Sequence, residues 1–322
     1  MLHFRSTTYS EPTATRQSEL WTEPAALPAQ SQTGTGWLSA FARAASQTIA
    51  PSSVREFFRE LDANDPVLSR LGWALVLVVP VFAAMAFLAP GMASVNPINP
   101  WIKPIKFSMS FSTFASTMSL LLMALQIPAW QLKLARRTMA VSIALEIFSL
   151  GAQAWRIGHS FAGHSWMDGA LAQLTNSMVM VNTAIVCWML FLFCASRVKT
   201  DLVDGPMVSA IRYSMVIFLA GNAIGGYMLA RGSHTVGTTD GGPGLPFVNW
   251  SLIAGDLRIA HFIAIHAIQI VPLFAYVLSQ MAPIPTVKHR RMAIVALAIA
   301  VSVAVGGTFI QAALGHPLLS FR

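Results

Sequence analysis

A chain of 322 residues that is 55% hydrophobic and only 11% charged, with a mean hydropathy of +0.59, cannot solvate a globular surface, since soluble domains carry about 25% charged residues. Disorder is excluded as well, because it requires low hydrophobicity. The formal charge of +8 is no nucleic-acid footprint: residues 1–69 hold five Arg against seven acidic residues, and most remaining basic groups fall in short loops between apolar runs, which is how membrane topology is encoded.

In chain order, residues 1–36 are rich in Ser, Thr, Pro and Gln without apolar periodicity and are expected to be a disordered tail. No charged start followed by an apolar core is present, so no cleaved signal peptide is expected. Residues 37–66 predict short amphipathic helices on the cytoplasmic face: Trp37, Phe41 and Ala45 recur at helical spacing, and Ser53-x-x-Glu56 forms a capping box ahead of Val54, Phe57, Phe58 and Leu61. Asp65-Pro66 supplies an N-cap and first-turn pair for the next helix.

Residues 67–322 predict a transmembrane domain. A bilayer core of about 30 Å takes roughly 20 apolar residues per helix, and seven stretches qualify, at about 68–90, 102–127, 135–157, 168–196, 207–230, 254–280 and 290–314. The fold class is therefore all-α, a polytopic bundle of about seven helices. Lys133, Arg136, Arg137, Arg197, Lys199, Arg212, Lys288, Arg290 and Arg291 fall in alternate connections, which with Arg70 places the N-terminus inside and the C-terminus outside. Cys187 and Cys194, seven apart on one helix, lie about 10.5 Å apart by helical rise, beyond the reach of a disulfide.

Ionisable residues inside a span normally face the bundle interior. Advancing 100° per residue, Thr138, Ser142, Glu146, Ser149, Gln153 and Arg156 fall within about 80° on the third span. Lys103, Lys106, Ser110 and Thr113 share an arc on the second, and Asp168, Thr175 and Asn182 align on the fourth. The sixth presents Arg258, His261, His266 and Gln269. These seams predict an outward-facing polar pocket whose ligand residues are Lys106, Glu146, Gln153, Arg156, Asp168, Asp256, Arg258, His261 and His266. In it Lys106, Arg156 and Arg258 would hold an anionic group, while Glu146 and His261 exchange a proton or hydrogen-bond the ligand, and a contact of Glu146 with His261 or an Arg would offset the cost of burial. Lys103 is expected to snorkel to the headgroups. Gly/Pro-rich residues 232–255, with His234, Asp240, Asn249 and Trp250, form a long outer loop of the kind used as a lid.

Neutral His and carboxylates also suit a metal or haem, with His159, His164 and His261 as candidate ligands. The spacing gives this reading little support, because His159/His164 and His261/His266 are five apart rather than stacked at i, i+4. Gly221-x-x-x-Gly225 permits close helix approach, within the bundle or in a homodimer. The scattered methionines read as packing residues.

The runs Asn99-Pro-Trp-Ile-Lys103-Pro-Ile-Lys106-Phe107, Gln153-Ala-Trp-Arg156 and Gly255-Asp-Leu-Arg258-Ile-Ala-His261-Phe262 resemble signatures of an uncharacterised group of bacterial multi-span membrane proteins. The resemblance implies a bacterial inner membrane and carries no activity. Three readings follow: a membrane protein that binds a small polar or amphiphilic ligand for transport or sensing, a membrane enzyme with a His/carboxylate metal or haem site, and an assembly subunit of a membrane complex.

Overall fold

The computed structural model describes residues 51–88, 99–158, 166–200, 202–281 and 286–319. The expected tail, the amphipathic segment at 37–49, His159 and His164 lie outside these residues. Among the described residues the chain is helical apart from one small hairpin. Its elements are α1 (Pro51–Asn64), α2 (Pro66–Leu88), α3 (Ile102–Met123), α4 (Ala129–Gly158), α5 (Trp166–Cys194), α6 (Gly205–Arg231), β1 (Thr235–Val236), β2 (Gly255–Asp256), α7 (Leu257–Ser279) and α8 (Val287–Ala313).

Six of these helices (α2, α4, α5, α6, α7 and α8) are long and apolar enough to cross a membrane. Their packing agrees with that environment. In α2 the most apolar stretch reaches a mean hydropathy of 2.4 with only 11% of it buried in the protein, and Leu77, Phe87, Phe148, Phe191 and Val303 point outward. An aqueous surface would penalise each such side chain by roughly 1.5–3 kcal/mol relative to burial. The seventh stretch, α3, is 22 residues long but carries Lys103, Lys106 and seven Ser or Thr residues, which dilute its hydropathy below that of the six.

The basic loops gather at one end. Asp65 caps α2 through Leu68 N at 3.1 Å and pairs through its other oxygen with Arg136 Nε on α4 at 2.8 Å. Gln126 N donates to Arg197 O and Lys199 N to Ala124 O, each at 2.9 Å, around a bridge between Leu125 and Val198. Arg290 on α8 meets Asp204, the N-cap of α6, at 2.8 Å. The expected Asp65-Pro66 cap is present; α1 itself starts at Pro51, ahead of the start inferred from Ser53, and packs Phe58 against Trp73 at a ring separation of 4.8 Å.

The other end collects the polar loops. Asn99 Nδ2 donates to Ala86 O at 2.9 Å, the Trp101 ring lies 5.6 Å from that of Phe82, and Gln311 Nε2 reaches Pro317 O at 2.7 Å. Because α3 starts beside Ala86 and ends at the Leu125 bridge, it runs the full length of the bundle. The interior between is apolar: Met118, Met139, Met189 and Met215 are fully buried, and Phe114 stacks on Phe218 at 5.7 Å. These are packing methionines, as the sequence suggested.

Among the described residues, α6 and α7 pack over the most extensive helix contact. Gly221 and Gly225 make it so: a Cβ at Gly221 would lie 2.8 Å from Ala264 Cβ, and one at Gly225 would lie 3.0 Å from the His261 ring. The small-residue motif therefore serves contact inside the bundle.

Candidate functional site

The polar seam of α4 meets that of α5, not that of α7. Three rungs cross this interface. At the deep end Ser142 Oγ lies 2.8 Å from the Asn182 amide. One turn above Glu146, Ser149 Oγ donates to Leu171 O at 2.6 Å, Thr175 Oγ1 bonds Ser149 Oγ at 2.9 Å, and Gln153 Nε2 donates to Ser149 and Thr175. At the mouth Arg156 grips Asp168 with two nitrogens, at 2.6 and 3.4 Å.

Between the first and second rungs sits Glu146. It is 0% exposed, and neither carboxylate oxygen has a hydrogen-bond partner. It lies twelve residues from the end of α4 at Gly158, about 18 Å along the axis, and so near the middle of the bundle. A buried carboxylate without partners is among the costliest arrangements in a protein, and most buried polar groups avoid it. Asn182, only 5% exposed, leaves one amide atom equally unpartnered. The charged group that acts on Glu146 is Lys103 of α3, yet no ion pair joins the two among the described residues. Lys103 Nζ sits instead 5.8 Å above the Phe107 ring.

A second polar centre forms where residues 232–256 fold over the start of α7. Asp256 is 1% exposed; it caps α7 through Arg258 N at 3.0 Å, accepts from Ser251 N at 2.9 Å and pairs with Arg258 Nη2 at 2.6 Å. Arg258 also donates to Asn249 O, and Lys106 Nζ to the neighbouring Val248 O at 3.3 Å. Both cations thus fasten the loop tip, where Phe247 and Asn249 adopt left-handed backbone conformations, φ 65° and 57°. Asp240 organises the opposite side by accepting from Ser233 Oγ, His234 N and Thr235 N. Burial alone would raise its carboxyl, but these bonds bring it down to about 2. Burial, followed by the charge of Arg258, holds the His234 ring below the ordinary histidine value.

The nine predicted ligand residues are therefore divided. Glu146, Gln153, Arg156 and Asp168 share the α4–α5 seam; Lys106, Asp256 and Arg258 share the loop centre. His261 belongs to neither, since its Nδ1 donates to Gly221 O at 2.8 Å. His266 packs its ring 4.4 Å from Phe262. The expected contact of Glu146 with His261 or an Arg is absent, and the anion-binding guanidiniums Arg156 and Arg258 are each matched with a carboxylate. Of the metal candidates only His261 is described, and among the described residues no three His, Cys, Asp or Glu side chains converge on a metal position. Two clefts, of about 610 and 260 Å³, lie at the basic end and are lined by residues of the α7–α8 connection and α8, including Val287, Lys288 and Arg291; no predicted ligand residue lines either.

One residue outside the predicted set, Asn182, belongs to the seam. Asn182 was visible as an aligned polar residue on the fourth span. Lys103, expected at the headgroups, is exposed in the structure with its ammonium over the Phe107 ring; only the packing of α3 beside α4 brings its charge within reach of Glu146. No family model, curated protein or solved structure matches the chain.

Proposed function

We propose that this is an integral membrane protein that binds a small polar ligand inside the bundle, in the α4–α5 seam around Glu146, for transport or sensing. The observation that carries the reading is the Glu146 carboxyl, wholly buried, near mid-bundle and without a partner, where an intramembrane ionisable group is by default a functional one. A packing network would have paired it, as the same seam pairs Ser149 with Thr175 and Arg156 with Asp168.

In this reading α3 is the seventh span, with Lys106 tied to the outer loop at Val248 O. The basic end lies in the cytoplasm and the loop over residues 232–256 outside. The resemblance of the Asn99–Phe107, Gln153–Arg156 and Gly255–Phe262 runs supports a bacterial inner membrane. Gln153, Thr175 and the Arg156–Asp168 pair lie along the seam between its outer end and Glu146.

A thermal-shift panel of small polar compounds (amines, amino acids, polyols and alkali salts) on the purified full chain tests it. A ligand at a hundredfold excess over Kd stabilises by about 2.7 kcal/mol, which for a chain of this size raises the midpoint by about 5–10 °C. At least one class is expected to protect wild type and Arg70→Ala, and to fail with Glu146→Gln. Protection by none, or full protection of Glu146→Gln, refutes the reading.

A further inference from the structure

We infer that the ligand of the α4–α5 seam is a monovalent metal cation, held by Glu146 and the side-chain oxygen of Asn182; this rests on reading the seam as a binding site. The argument is a count of hydrogens. Ser142 Oγ lies 2.9 Å from Met139 O and 2.8 Å from the Asn182 side chain. With the amide oxygen toward Ser142 both neighbours are acceptors, and one hydroxyl hydrogen cannot satisfy two. The two ends of an amide are assigned by their bonding partners. Turned by half a rotation, Asn182 Nδ2 donates to Ser142 Oγ, Ser142 donates to Met139 O, and the unpartnered atom is the amide oxygen.

On the other side of Glu146, Ser149 Oγ donates to Leu171 O at 2.6 Å, so its hydrogen is engaged too. Three buried oxygens, two of carboxylate and one of amide, then share the seam with no donor for any of them. Oxygen-only donors select hard cations, and with one carboxylate in the seam a single positive charge balances it, where a divalent ion would be left in excess. Lys103 is the competitor: its ammonium, exposed and 5.8 Å above the Phe107 ring, is the charge that acts on Glu146 without pairing to it and so opposes a cation there.

Scintillation-proximity binding of ²²Na⁺ and ⁸⁶Rb⁺ to the purified full chain, in choline chloride, tests the assignment. One of the two ions is expected to bind saturably at about one per chain. Affinity should fall at least tenfold in Glu146→Gln and in Asn182→Ala, rise severalfold in Lys103→Gln, and stay unchanged in Arg70→Ala. Lys103→Gln keeps the test decisive if a core variant does not fold, because unaltered or weaker binding there overturns the inference. Binding of neither ion overturns it as well. If an amine or polyol nonetheless protects wild type and not Glu146→Gln, the seam remains a binding site for another ligand class; if nothing protects, both readings fall. A carboxylic-acid infrared band that vanishes in Glu146→Gln, with no isotope bound, identifies a proton as the counter-charge and excludes the metal.

Discussion

Three glycines of α6 offer a graded test of how this bundle is held together. Replacing Gly by Ala in a helix gains about 1 kcal/mol of helix propensity, so any loss must come from contact. At Gly221 the new methyl would lie 2.8 Å from Ala264 Cβ and 3.1 Å from both Ile265 Cγ2 and Ile265 N. Two of these atoms are fixed to the backbone and cannot rotate away, so the overlap cost belongs at the top of the usual range of about 1–3 kcal/mol. The net is a destabilisation of about 2 kcal/mol. At Gly225 the methyl meets the His261 ring at 3.0 Å, which can tilt, but tilting weakens its bond to Gly221 O, worth about 1 kcal/mol; gain and loss nearly cancel. At Gly226 nothing lies within 4 Å, and the propensity gain stands alone. Thermal unfolding in a mild detergent, followed by helical circular dichroism, should rank the variants Gly226→Ala, wild type, Gly225→Ala, Gly221→Ala. With about 2–4 °C per kcal/mol, the two extremes should differ by about 6–12 °C. Equal midpoints for Gly221→Ala and Gly226→Ala, or a change in oligomer mass alone, would refute the intrachain role and return the motif to contact between copies.

Arg136→Met should leave the Asp65 carboxylate, 0% exposed, without its ion pair and cost about 3–5 kcal/mol in the same unfolding assay, with part recovered by adding Asp65→Asn. Gly255→Ala should dislodge the hairpin from the end of α8, because the new Cβ would lie 2.0 Å from Ala312 O; faster hydrogen exchange across residues 232–256 is the readout. The same segment should lose protection in acid. The His234 ring is held below its ordinary value of 6.5, so the opened loop binds the proton more tightly; stability is complete above pH 6.5 and declines as pH falls below it. Asp240, at about 2 rather than 3.8, adds a second loss as pH falls from 3.8 toward 2; exchange rates corrected for intrinsic chemistry that stay flat from pH 7.5 to 5 would contradict the histidine part. In a background lacking Cys187 and Cys194, both exposed, an impermeant maleimide applied to intact cells should label Thr239→Cys and spare Thr200→Cys; the reverse pattern inverts the proposed topology.

Helix positions were legible because each apolar run is long enough to span a bilayer, and the start of α2 was marked by the Asp65-Pro66 cap; the Asp204 cap of α6 emerged only in the structure. The α4 face carrying Ser142, Glu146, Ser149 and Gln153 was legible for a related reason, since residues three and four apart on a helix point the same way regardless of surroundings. Which helix that face meets was not. The pairing of α4 with α5 rather than α7 depends on how all the spans pack, and nothing in the spacing of His261 signals that its ring would be taken by Gly221 O. The same limit explains Arg156 and Arg258. Read alone, each is a cation near an outer surface; in the fold each has a carboxylate, Asp168 twelve positions onward in the antiparallel neighbour and Asp256 two positions back.

The attachment of the outer loop at Gly255 has a mechanical consequence. At that end the chain is bound on every side: Gly255 abuts the last turn of α8, Asp256 starts α7, and Arg258 ties the tip back to its own base. At the other end the chain leaves α6 through Gly232 and passes Gly237 and Gly241, all with positive φ. That end is pinned as well, by the pairing of β1 with β2 and by Leu257 N donating to His234 O. The strap is rooted at both ends, and any sideways travel of the last turn of α8 is passed directly to the first turn of α7.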